Sequence, residues 1–159
     1  MAVTAGRSCC GAVLLRGDMD ALPVGELTGV EYASQVPGRM HACGHDLHTA
    51  GLVGAAMLLA DHRESLQGDV VFMFQPGEEG HNGAGAMIDE GVLDAAGKPL
   101  DAAFALHVSA NRLPGGWVAS RPGTVMTASD VLRVTVQGAG GHGAAPHHAR
   151  TRFPRSARW

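Results

Sequence analysis

A chain of 159 residues is long enough to fold as one ordinary domain around a buried core. With 45% hydrophobic and 17% charged residues and a net charge of -3, its composition is that of a folded globular protein, and it lacks the basic surplus that a nucleic-acid partner would require. Aromatic residues make up 4%, too few for a base-stacking surface, and no apolar run reaches the length needed to span a bilayer, so neither nucleic acid nor membrane is an expected partner.

The opening residues, MAVTAGRSCC, carry one arginine and no long apolar run, so they do not read as a signal peptide and a cytoplasmic location is expected. The three cysteines agree, because their odd count and spacing do not fit a disulfide framework. Gly11–Leu15 is a short apolar run of the kind found in strands buried on both faces. A polar, Pro-containing loop follows over Asp18–Gly38. Leu47–Arg63 is long, rich in Ala and Leu and free of Pro, which predicts a mostly buried helix with His45 or Asp46 near its first turn.

Asp69–Phe74 reads as the next buried strand, stopped by the breaker pair Pro76–Gly77. Gly83–Leu93 predicts a helix with Gly91 close to its end, and Asp101–Leu106 a third short strand. Alternating strands and helices predict an α/β fold, a mostly parallel sheet flanked by helices. After Arg121–Pro122–Gly123 the pattern changes: Val131–Val136 alternates, as in a strand with one solvated face. A domain boundary is expected near Gly123–Ala128. Residues 149–159 hold four of the eleven arginines without any helix or strand period.

Nine histidines are the unusual feature, with His41, His45 and His48 in one short window and His142, His147 and His148 in another. Polar groups of the kind that bind metals follow each buried strand: Asp18 and Asp20 after the first, Glu78 and Glu79 after the second, His107 after the third. In an open parallel sheet these positions share the edge where ligands bind. The segment MHACGHDLH precedes the long helix and can reach the same edge. Thiolate, imidazole and carboxylate suit zinc or a similar divalent ion. Gly44 lets Cys43 and His45 turn toward one point, and adjacent glutamates diverge, so one of the pair can bind metal while the other moves a proton. Taken singly, Cys43 would be a small buried residue and the glutamates a solvated turn. His41 reads as structural, His48 equally as a core hydrogen-bonding group or a ligand, Asp46 as a cap or an orienting group, and His62 and His81 as surface.

Five motifs occur in order: RGDMDALP (Arg16–Pro23), PGRMHACGHDLHTA (Pro37–Ala50), FQPGEEG (Phe74–Gly80), LHV around His107, and GAGGHGAAPH (Gly138–His147). Together they resemble the aminoacylase/carboxypeptidase-type metallopeptidases, in the branch of hippurate hydrolase and indole-acetyl-amino-acid hydrolases. The resemblance implies a catalytic α/β domain holding two divalent ions, Zn or Mn, and a smaller α+β lid domain through which members often form homodimers. It implies Cys43, His45, Glu79 and His107 as metal ligands, Glu78 as general base and then acid, Asp20 as a supporting acid, and His142 as the group that steadies the oxyanion. The implied reaction is hydrolysis of the amide bond of N-acyl amino acids. On this reading residues 1–124 are part of the catalytic domain, 125–150 the start of the lid, and 151–159 a tail outside the family pattern. The chain is then expected to be an incomplete fragment, with a frameshifted end and one metal-binding histidine missing; the alternative is a remnant that binds metal without turnover.

Overall fold

The computed structural model describes residues 2–4, 10–110, 113–126 and 132–150. Residues 151–159, the expected tail, and Cys9 lie outside them. The chain forms two compact units, Met1–Val125 and Met126–Trp159.

The first unit is built on a four-stranded sheet. β1 (Ala2–Thr4) pairs antiparallel with β3 (Asp69–Gln75), which pairs parallel with β2 (Ala12–Asp18), which pairs parallel with β4 (Ala102–Ala105); the order is β1-β3-β2-β4. The expected α/β class and largely parallel sheet are therefore present. The register sets Val13 opposite both Val70 and Ala102, and Asp18 opposite Gln75.

Side chains alternate across a strand, so the two central strands feed two cores. Leu14, Val71 and Met73 pack with Val92 on one face, joined by Ala84 and Met87 of α2 (Gly83–Asp89). Val70 and Phe72 pack with Leu52 on the other, joined by Val13, Leu15, Ala56 and Leu59. Leu52, Ala56 and Leu59 belong to α1 (His45–Asp61). Burial on both faces is why the strand sequences are continuously apolar.

α1 starts two residues earlier than the periodicity predicts. Its N-cap is Gly44, in the left-handed region at φ 85°, while Asp46 lies exposed in the first turn, where its charge suits the helix dipole. Its last turn is closed by His62, whose Nδ1 donates to the Leu58 carbonyl at 2.8 Å. The periodicity predicts a mostly buried helix, but only His45, His48 and Leu52 are buried; Leu47, Val53, Met57 and Leu58 are exposed. The sheet covers one side of α1, and among the described residues no second layer covers the other. The helix predicted over Gly83–Leu93 is shorter. It ends at Asp89 with Glu90 as its C-cap, Gly91 turns the chain at φ 87°, and a 3-10 turn over Val92–Asp94 drops Val92 into the core.

In the second unit, residues 132–136 do not form the strand that their alternation predicts. Alternation suits a strand only where a neighbour supplies ladder bonds. The described part of this unit contains one isolated bridge, Ala139 to Arg150, and a 3-10 turn over Pro146–His148.

Phe72 is 1% exposed between β2 and α1. Phe72→Ala is expected to destabilise the chain by about 3–5 kcal/mol in equilibrium denaturation, with a change below about 1 kcal/mol contradicting this core assignment.

Candidate metal centre

β2, β3 and β4 run parallel, so their carboxyl ends share one edge of the sheet. From β2 the chain crosses to β3 on one side, then returns past β2 to β4 on the other. That reversal opens a crevice beyond the strand ends, the usual place for a ligand in such sheets. Asp18 ends β2, Glu78 and Glu79 follow β3, and His107 follows β4. The long loop between β2 and α1 is pinned by paired hydrogen bonds between Leu22 and Met40 at 2.9 and 3.1 Å, which returns Cys43 to the same edge.

Asp20 joins three of these segments. Its Oδ1 accepts the Glu78 amide at 3.1 Å and its Oδ2 the Glu79 amide at 2.9 Å. Its backbone carbonyl lies 3.0 Å from His45 Nδ1, which donates to it. Burial by itself would raise the Asp20 carboxyl, but the Glu79 and Glu78 amides overcome that and hold it below the usual carboxylate range.

His45 is 1% exposed, and the Asp20 carbonyl fixes its tautomer with the proton on Nδ1. Nε2 is left with its lone pair facing the crevice, 3.8 Å from both Asp18 Oδ2 and Glu78 Oε2. Ligand histidines are held in this way, with the far ring nitrogen tied to a carbonyl or carboxylate. Ligand atoms of Cys43, His45 and Glu79 all lie within 4.8 Å of one another. Burial, then the carboxylates of Glu79, Glu78 and Asp18, push the Cys43 thiol up. Such a pocket disfavours a bare thiolate, and a divalent cation among the same carboxylates reverses the preference. The donor set fits a zinc-type ion.

A second group, Asp18, His45 and His48, also brings its ligand atoms within 4.8 Å. Here the hydrogen bonds argue against a cation. His48 Nδ1 donates to Asp18 Oδ1 at 2.5 Å, and its Nε2 accepts the Val108 amide at 2.8 Å, so both ring nitrogens are used. Ligation through His48 would strand a buried partner at a cost of about 1–3 kcal/mol. Asp18 is 2% exposed; burial acts to raise its carboxyl, but the His48 hydrogen bond and the Arg16 charge outweigh it and hold the group ionised. Arg16 Nη1 sits 2.7 Å from Asp18 Oδ2, and its Nε donates to Gln75.

Of the residues singled out in the sequence, the structure gathers Cys43, His45, Glu79, Glu78 and Asp20. His107 is exposed and is in neither group; its ring centroid stands 5.0 Å from that of His48. His142 is in the second unit, where its Nδ1 accepts the Ala144 amide at 3.2 Å. His41, His62 and His81 are exposed. The sequence pattern does not announce the burial of Asp18, although Arg16, two residues earlier on the same strand face, is a usable signal of a charged partner there.

The model of peptidase family M20/M25/M40 matches residues 14–155. The IAA-amino acid hydrolase ILR1-like 5 of Arabidopsis thaliana is 50% identical over 86% of this chain and 30% of its own length. The N-acetyl-L-cysteine deacetylase of Bacillus subtilis is 45% identical over 91% of this chain and 33% of its own. The crystal structure of the Bacillus subtilis YXEP protein, a dinuclear metal binding peptidase from the M20 family, superposes with a TM-score of 0.62 at 44% identity, covering 67% of this chain and 29% of that one. The chain thus spans about a third of the length of the curated relatives it matches. A strand-end crevice lined by thiol, imidazole and carboxylates, together with a family match running from Leu14 into residue 155, places this chain in peptidase family M20/M25/M40.

Proposed function

We propose that this chain carries most of the metal centre of an amidohydrolase that cleaves N-acyl amino acids. The observation that carries the reading is the meeting of Cys43, His45 and Glu79 within 4.8 Å at the strand-end crevice, with His45 turned toward it by Asp20. Relatives named for hydrolysing IAA-amino acids and for deacetylating N-acetyl-L-cysteine support the substrate class, and a dinuclear structural relative supports two ions; Zn or Mn is the identity we assign to them from the donor types. Cys43, His45, Glu79 and His107 would hold the metal. Residues 1–124 are assigned to the catalytic domain and 125–150 to the start of a lid, which the division into two compact units at Val125 supports.

When bound, the metal would polarise the amide carbonyl and acidify the attacking water. Glu78 does the proton work. Its side chain is 41% exposed, and Oε2 lies over the crevice 3.8 Å from His45 Nε2, while Asp20 holds its backbone still. It takes a proton as water adds to the carbonyl carbon. It returns that proton to the leaving nitrogen as the C–N bond breaks, releasing a carboxylic acid and an amino acid. His142 enters through the resemblance of its Gly-rich surroundings, as donor to the oxyanion.

A second reading, a chain that holds a cation without turnover, is favoured by the exposure of His107 outside the group of three. Hydrolysis of hippurate and N-acetyl amino acids with added Zn²⁺ or Mn²⁺ separates the two: a folded, metal-loaded chain that releases no amino acid supports the second. Where turnover is seen, Glu78→Ala is expected to lower kcat by about 10²–10⁴ with metal content unchanged. Equal activity in that variant would remove Glu78 from the mechanism.

The raised Cys43 thiol gives a pH prediction. Without a cation the thiol keeps its proton at neutral pH, so binding must release it, and apparent Zn²⁺ affinity should climb by about tenfold per pH unit below the thiol's own value. Competition titrations between pH 6 and 8, taken as a convenient range of about two units, check this, and Cys43→Ala should lose that share of the slope.

A further inference from the structure

We propose that Arg16, Asp18 and His48 form a positioning relay that sets His107 in place through the backbone amide of Val108. The relay deepens the proposed function and rests on its reading of His107 as a metal ligand.

Among the described residues, few hydrogen bonds hold the segment that carries His107. β4 ends at Ala105, and residues 106–110 are all exposed. Into this stretch reaches His48, whose side chain is 3% exposed and anchored on α1. Its Nε2 accepts the Val108 amide at 2.8 Å. That amide belongs to the peptide plane immediately after His107, so anchoring it restrains the backbone at His107 and the point from which its side chain leaves the chain.

Nε2 can accept only if the proton is on Nδ1, and the partner of Nδ1 decides this. Asp18 Oδ1 stands 2.5 Å away, held in turn by Arg16 on Oδ2 at 2.7 Å. The Asp18 carboxylate therefore imposes the tautomer that makes His48 an acceptor. A second close approach fixes the same residue. A Cβ on Gly44 would come 2.2 Å from Val108 Cγ2, so the turn bearing Cys43 and His45 packs directly against the residue after His107. The loop of the first two proposed ligands and the loop of the last are thus matched at Val108, and the His48 and His107 rings lie 5.0 Å apart, tilted by 58°.

The test is Co²⁺ binding followed by its visible spectrum in the whole chain, with unfolding of the metal-free protein measured alongside. His48→Asn keeps a donor toward Asp18 but has no acceptor at the Nε2 position, whereas His48→Gln restores an acceptor there. His48→Asn is expected to weaken Co²⁺ binding by about 10–100-fold, His48→Gln to recover most of the loss, and His48→Asn to cost nothing further in a His107→Ala background. Equal losses from His48→Asn in both backgrounds would overturn the relay alone. If His107→Ala leaves Co²⁺ affinity and spectrum unchanged, the ligand reading of His107 falls and the relay with it. Should the His48 variants fail to fold, long-range ¹⁵N–¹H spectra of the unaltered protein decide: a proton on His48 Nδ1 supports the relay, and one on Nε2 rules it out.

Discussion

At the tip of the loop after β3, the amides of Glu78 and Glu79 point away from any ladder, and the Asp20 carboxylate accepts both. Hydrogen bonds to a charged acceptor are worth about 1.5–3 kcal/mol each, so this one side chain decides where the glutamate pair stands. The same residue's carbonyl orients His45 on α1. Three elements that meet nowhere along the sequence are therefore set by one residue just beyond β2. The rim can be rigid although it is made of loops, because its backbone donors are satisfied by a group attached to the central strand.

Charge is the second constraint. Asp18, Asp20, Glu78 and Glu79 crowd around Cys43 and His45, and Asp18 is almost wholly buried. Arg16 and His48 answer Asp18, and the two amides answer Asp20. The acids with internal partners orient the site, while Glu78 and Glu79 keep their carboxylates turned toward the crevice. Their proximity is what raises the Cys43 thiol. The acids thus divide by partner: Asp18 and Asp20 are answered inside the protein and hold the scaffold, while Glu78 and Glu79 stay at its more open rim.

Much of this is legible in residue order. The apolar runs at Ala12 and Asp69 announce strands because burial on two faces leaves no room for polar alternation, the shorter run at Ala102 announces a strand although it stays largely exposed, and the polar residues after each run mark the rim. Cys43, His45 and Glu79 stand out because chemistry restricts which residue types can share a cation. What residue order hides depends on neighbours distant in sequence. β1 is three residues long and acquires meaning only beside β3. The choice that sequence leaves open for His48, ligand or hydrogen-bonding group, is closed by Asp18 and Val108, thirty and sixty residues away. The strand expected over Val131–Val136 has the right period, but a period does not supply a partner to the described residues 132–136, and the apolar composition of α1 does not reveal how little of it the sheet covers.

β4 lies at the end of the strand order, with Phe104 57% and Leu106 72% exposed. Its outer row of peptide groups faces no other strand among the described residues, and apolar side chains flank that row. Such a margin is adhesive: it offers any extended polypeptide a ready template, another molecule of the same chain included. That open margin begins two residues from His107, so the strand that leads to the rim is itself an unpaired edge.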